Sequence, residues 1–245
     1  MNSLQLPENM RELAPGEKFR FLCHPGAACF TDCCRQLDLA LTPYDVLRLR
    51  AHLGLDADAF LDRHALVEAE EGAAFPHVFL AMEDDGRASC PFVTATGCRV
   101  YENRPGACRT YPLARGAMRT EAGSCREIHV LLREPHCGGF EAGDPLDVAA
   151  WNNDQGLADY NAMNDEITAI LQHPLVRGGL APSAEQMAAY LLALYRPDTF
   201  REMLLAGALS PAMQLSAEER GQAATDDITL LRIGIRWLDN VLFGK

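Results

Sequence analysis

All nine cysteines of this 245-residue chain lie at or before position 137; the stretch that follows has none. They stand at 23, 29, 33, 34, 90, 98, 108, 125 and 137. That asymmetry constrains the chain more than any other feature. An odd count argues against a fully paired disulfide framework. The N-terminus has no basic start, no apolar stretch of signal length and no small-residue cleavage site, so the expected location is the cytoplasm, where thiols stay reduced. Hydrophobic residues make up 48% of the chain, enough for a sizeable core without cross-links. The cysteines therefore need a different reason, and metal binding supplies one.

The first four thiols fall in Cys23-His24-Pro25-Gly26-Ala27-Ala28-Cys29-Phe30-Thr31-Asp32-Cys33-Cys34. Pro25 and Gly26 permit the tight turns that bring sulfurs to one centre. Thiolate is a soft donor, so zinc, copper(I) or an iron–sulfur cluster fits, whereas calcium and magnesium prefer oxygen. Cys90, Cys98 and Cys108 each sit beside or near Gly or Pro, in loops that can turn backbone N–H groups toward sulfur and tune a potential. Cys-x-x-Cys occurs nowhere, which removes support for zinc ribbons and thioredoxin-like motifs. A radical-SAM spacing fails because position 36 is Gln. Walker loops, His-Glu-x-x-His helices and Gly-x-Ser-x-Gly elbows are also absent from the sequence.

The net charge of −12 disfavours general nucleic-acid binding. Against it, Arg99, Arg104, Arg109, Arg115, Arg119, Arg126 and Arg133 form a local positive surplus. Such charge can offset a four-thiolate site, receive an anionic substrate, or serve ordinary surface pairing. No apolar run reaches the roughly 20 residues a bilayer span requires, and no membrane association is expected.

The fold class expected is mainly α with a small antiparallel β element, an irregular cysteine-rich metal-binding region being packed on a helical C-terminal part. Two domains are expected, residues 1–145 cysteine-rich and 146–245 helical, with Gly138-Gly139 to Pro145 as the junction. Thr42-Pro43-Tyr44-Asp45 opens a helix that Gly54 ends, and Asp56 caps a second through His64. Residues 75–82 and Ile128 to Leu132 read as strands. Asp85-Gly86 reads as a hairpin turn leading into Cys90-Pro91-Phe92-Val93. Leu157, Tyr160, Met163, Ile167, Ile170 and Leu171 recur at helical spacing. Ser183 to Gln186 is a capping box, and Asp198 and Asp227 are expected caps for two further helices.

Two segments resemble the CxxCxxCC, or YkgJ-like, cysteine-cluster family, described as a zinc- or iron-chelating domain. One is the run to Cys33-Cys34. The other is Gly97-Cys98-Arg99-Val100-Tyr101-Glu102-Asn103-Arg104-Pro105-Gly106-Ala107-Cys108-Arg109-Thr110-Tyr111-Pro112. His136-Cys137-Gly138-Gly139-Phe140 resembles a further step of longer members. The gaps Cys23–Cys29 and Cys29–Cys33 are longer than the family's name implies. The resemblance implies a metal site drawn from Cys23, Cys29, Cys33, Cys34, Cys90, Cys98, Cys108 and Cys137, with Cys125 matching no signature position. Eight thiolates suffice for two four-thiolate sites, and equally for one with spare thiols. His24 and His136 neighbour cysteines and are weaker candidates, and Tyr111 is expected to pack. Three readings follow: one or two iron–sulfur clusters, of 4Fe–4S type, with a redox or protein-modification role; a zinc-stabilised interaction module without catalysis; or, by resemblance to a flagellin lysine N-methylase, a protein methyltransferase. A protein partner or protein substrate is the expected counterpart. Catalytic residues are not assigned.

Overall fold

A computed structural model describes residues 6–244 apart from 121 and 123. In chain order the first elements are β1 (Met10–Glu12), β2 (Phe19–Arg20), α1 (Pro43–Leu53), α2 (Ala57–His64), β3 (Ala65–Glu68) and β4 (His77–Leu80). Then come β5 (Val93–Thr94), β6 (Gly97–Cys98), α3 (Gly106–Thr110), β7 (Leu113–Arg119), β8 (Cys125–Leu132) and β9 (Pro145–Leu146). The rest is helical: α4 (Val148–Asp154), α5 (Ala158–Leu171), α6 (Pro174–Arg177), α7 (Ala184–Tyr195), α8 (Pro197–Ala206), α9 (Ala217–Ala223) and α10 (Asp227–Phe243). Helix accounts for 44% of the described residues and every paired strand is antiparallel, so the mainly α expectation with small sheets holds.

The residues pack as two compact units, each discontinuous in sequence. One joins the segment ending at Leu39 with Ala81–Ala162; the other joins Ala40–Leu80 with the segment from Met163 onward. All nine cysteines belong to the first. The line near residue 145 marks where cysteine stops, whereas the compact units record which residues pack together.

In the cysteine-bearing unit, β7 and β8 form a hairpin running from Leu113↔Leu131 to Arg119↔Cys125, and β1 adds along the other edge of β8. β2 pairs with β9 through Phe19↔Leu146. A small core gathers Leu13, Phe19, Phe21, Leu113, Leu131 and Trp151. Its rings meet edge to face: Phe21 lies 5.5 Å from Tyr111, 5.2 Å from Phe140 and 5.8 Å from Trp151, a geometry that suits aromatic quadrupoles. A Cβ on Gly139 would meet the Phe21 ring at 2.5 Å, so this approach needs glycine.

The expected hairpin at Asp85-Gly86 does not form. The turn itself is present: the Asp85 carboxylate accepts the Arg87 and Ser89 amides at 2.9 and 3.2 Å. But β4 pairs with β3, from Ala65↔Leu80 to Glu68↔His77, and β5 pairs with β6 instead. Across the turn the Glu83 amide donates to the Ser89 carbonyl at 2.8 Å, but the returning chain forms no strand with β4.

The helical unit is built on local caps and one buried charge network. Thr42 and Asp45 exchange side-chain and backbone hydrogen bonds at the start of α1, and Gly54, at φ +65°, ends it. Ser183 and Gln186 repeat the arrangement for α7. Phe60, Leu49, Phe200, Leu194, Leu230, Ile233 and Leu238 are almost fully buried. α7 and α10 approach so closely that a Cβ on Gly234 would sit 2.7 Å from the Ala193 carbonyl. In α5 the predicted stripe is buried from Leu157 to Ile170, but Leu171 is exposed.

Two predicted caps are corrected. Arg196, not Asp198, occupies the N-cap of α8, and Asp226, not Asp227, caps α10 by accepting the Thr229 amide at 2.7 Å. The displaced carboxylates serve arginines. Asp198 accepts from Arg50 at 3.0 Å and from the Ala57 amide at 2.8 Å, and Asp227 pairs with Arg50 and Arg201. The buried Arg50 guanidinium outcompetes a local amide because a desolvated charge must be paired.

Candidate metal centre

The segment from Cys23 to Cys34 descends through a chain of tight turns. Ala27, Phe30, Asp32 and Cys34 each donate a backbone hydrogen bond to the carbonyl three residues earlier. The last turn is a short 3₁₀ helix, Asp32–Cys34. His24 spends its Nδ1 accepting the Gly26 amide at 3.1 Å, which fixes the first turn. Thus Pro25 and Gly26 shape the loop as expected, and His24 acts within it.

Three tertiary contacts then bring distant cysteines to this run. Leu22 donates to the Gly139 carbonyl at 2.9 Å, laying Cys23 alongside the segment after Cys137. The Gly138 amide donates to Cys29 Sγ at 3.2 Å. The Cys90 amide donates to the Cys34 carbonyl at 2.9 Å, and an Arg35–Ser89 bridge continues that pairing. Cys98 is held near Cys90 by the β5–β6 hairpin, whose Val93 pairs with Cys98 and donates to the Cys90 carbonyl.

Electrostatics confirm the crowding. Desolvation, then Cys33, Cys29 and Cys137, push the Cys23 thiol above its ordinary pKa, while Arg104 pulls it down. Cys34 donates to Cys33, which lowers the Cys33 thiol and raises that of Cys34; Cys90 and Cys108 raise Cys34 further. Burial raises Cys90, against the Phe92 and Val93 amides and Arg99. Burial likewise raises Cys98, against the Val100 amide, Arg104 and Arg99. Raised thiols hold their protons, so a metal must displace them on binding. Arg99 and Arg104 thus favour the thiolate forms, one of the uses read from the arginine surplus.

The Arg-Pro…Cys-Arg signature has a structural role as well. Arg109 is buried and donates to the carbonyls of Arg104, Gln155 (2.7 Å) and Glu102. Arg104 donates to the Tyr101 carbonyl at 2.8 Å and to the Gln155 side chain, and its guanidinium covers the Tyr101 ring at 3.8 Å. These struts tie the loop before Cys108 to α3. Arg115 instead pairs with Glu127, and Arg133 lies over Phe140.

Tyr111 packs on Phe21, as expected, and has a polar role besides. Its hydroxyl donates to Glu134 at 2.9 Å and lies within hydrogen-bond reach of the Cys137 side chain. Burial, Cys137 and Glu134 all raise its pKa, so it stays a phenol. His136 sits 3.7 Å from the Glu134 carboxylate with its side chain half exposed. Cys125 stands across the β7–β8 ladder from Arg119. Glu134 and Gln155 carried no signal in the sequence. Gly138 stood next to a cysteine, where an amide donor to sulfur is an ordinary expectation.

Among the described residues, no three His, Cys, Asp or Glu side chains close on one point at metal-ligand distance, and no cysteine forms a disulfide. The thiols are neighbours rather than a closed shell. The donor set is sulfur, supported by amide N–H groups and two arginines, and its chemistry fits zinc or an iron–sulfur cluster. Residues 22–137 match the family model CxxCxxCC, described as "putative zinc- or iron-chelating domain". This segment belongs to the CxxCxxCC family. It spans both cysteine runs and ends at Cys137. No curated protein and no solved structure gives a significant match. No helix among the described residues is long and apolar enough to cross a membrane.

Proposed function

We propose that the CxxCxxCC domain of this chain carries iron–sulfur, of the 4Fe–4S type, and serves a redox or protein-modification role in the cytoplasm with a protein as partner or substrate. The observation that carries the reading is the Gly138 amide turned toward Cys29 Sγ at 3.2 Å, with backbone amides beside Cys90 and Cys98 that ease the loss of their protons. N–H donors to ligating sulfur stabilise added negative charge and raise a cluster's potential. Arg99 and Arg104 act in the same direction. An iron–sulfur group supplies one-electron chemistry when bound. The protein's own part is to hold the thiolates, screen their charge, and pack the Cys137 side against the Phe21 core. The −12 charge of the chain favours a protein counterpart over a nucleic acid.

Anaerobic purification with metal analysis and a visible spectrum tests this reading. The expected protein is brown, with thiolate–iron absorption near roughly 400 nm and iron matched by acid-labile sulfide. A colourless protein containing only zinc would sink the iron–sulfur reading and leave a zinc-stabilised module.

A further inference from the structure

The eight cysteines are not one pool. We propose that they divide into two four-thiol metal sites, Cys23/Cys29/Cys33/Cys137 and Cys34/Cys90/Cys98/Cys108, which part at the peptide bond between Cys33 and Cys34. The proposal rests on the thiolate–metal reading above, but not on the identity of the metal.

The first set is gathered by the return of the chain at residues 137–139. The hydrogen bond from Leu22 to Gly139 brings Cys23 to this segment, and the Gly138 amide holds Cys29 there at 3.2 Å. Cys33, Cys29 and Cys137 are the thiols that act on Cys23. The second set is gathered by a different strand of backbone. The Cys90 amide binds the Cys34 carbonyl, and the β5–β6 hairpin brings Cys98 to Cys90. Cys34 is influenced by Cys90 and Cys108, and Cys90 by Cys98.

The hydrogen bond between Cys33 and Cys34 links the two sets, and Arg104 acts on both Cys23 and Cys98. Cys33 and Cys34 are consecutive on a 3₁₀ turn, where side chains leave the axis about 120° apart. That divergence suits two centres better than one. The adjacent pair that ends the family signature therefore serves as the partition between two sites. Cys125, on β8 opposite Arg119, belongs to neither.

The test uses the full reduced chain and zinc(II) as the probe, under anaerobic conditions. At each step of a titration the remaining thiols are alkylated and mapped by peptide mass spectrometry. The unsubstituted chain is expected to take two equivalents and to protect eight cysteines, leaving Cys125 reactive. Cys29→Ser should reduce uptake from two equivalents to one and protect Cys34, Cys90, Cys98 and Cys108 alone. Cys90→Ser should do the converse. Far-ultraviolet circular dichroism checks that each variant keeps its helices, and the titration of the unsubstituted chain stands if one does not. A single equivalent in that chain overturns the division while leaving the thiolate–metal reading intact. So does loss of both equivalents in either folded variant. No zinc uptake at all removes the metal reading as well.

Discussion

The two compact units are ordered by different means. In the helical unit, long side chains such as Phe60, Phe200 and Leu230 are wholly excluded from water, and reciprocal caps close the helix ends. In the cysteine-bearing unit the core cluster is small, the strands are two or three residues long outside the β7–β8 hairpin, and turns dominate from Cys23 to Cys34. Burial of apolar surface is enough to define the first. In the second, the side chains that crowd together are thiols, whose mutual approach is unfavourable once they are charged and becomes favourable only with a cation between them. On the proposed metal reading, hydrophobic packing and metal ligation divide the work of folding within one chain.

The largest effect that can break this comparison is metal removal. Chelation of the loaded protein should abolish amide-exchange protection around residues 22–35, 90–108 and 134–140 while α7 and α10 keep theirs; Cys33→Ser should abolish it around 22–33 and 134–140, and Cys108→Ser around 90–108. Metal-binding free energy on the order of 10 kcal/mol is coupled to such ordering in small thiolate sites. Equal loss of protection in α10 would show that the two units are not held by different forces. The converse substitution is Phe60→Ala, which should cost about 4 kcal/mol in denaturant unfolding and leave metal content unchanged.

A smaller change sharpens the contrast through pH. Asp226→Ala removes the cap of α10 and should cost about 1 kcal/mol at neutral pH. Hydrogen bonds from Thr229 hold the Asp226 carboxyl below its ordinary pKa. The stabilisation is therefore present above the unfolded carboxylate value near pH ~3.9 and is lost as pH falls through the depressed folded value. Unfolding curves of the two proteins should converge in that acid range. The smallest effect belongs to Cys125→Ser, expected to change stability by less than about 0.5 kcal/mol and to keep the full metal complement. If Cys125→Ser strips metal and Cys137→Ser does not, those two assignments exchange places.

Local signals explain what was legible in the sequence. The caps at Thr42, Asp56 and Ser183 act within three residues, so each could be read directly and each is present. Asp198 and Asp227 have the same local look, but a partner far along the chain, Arg50, claims their carboxylates. The Asp85-Gly86 turn was likewise readable, while the partner of β4 was not, because strand pairing is decided by the whole unit. At the candidate metal centre, cysteine spacing named the candidate donors. It could not show that Cys29 meets the segment after Cys137, or that Gln155 locks both signature arginines, since these contacts span 109 and about 50 positions.

The interleaving of the two units also sets a timetable. Arg50 reaches carboxylates 148 and 177 positions later, so Ala40–Leu80 has no finished partner until the last helix has been made. Every cysteine is synthesised well before that point. At ordinary elongation rates the ribosome needs about 5–20 s to complete the roughly 100 residues after Cys137. During that interval the nascent chain already holds all its thiols, and the delivery of metal can begin ahead of the helical unit's closure.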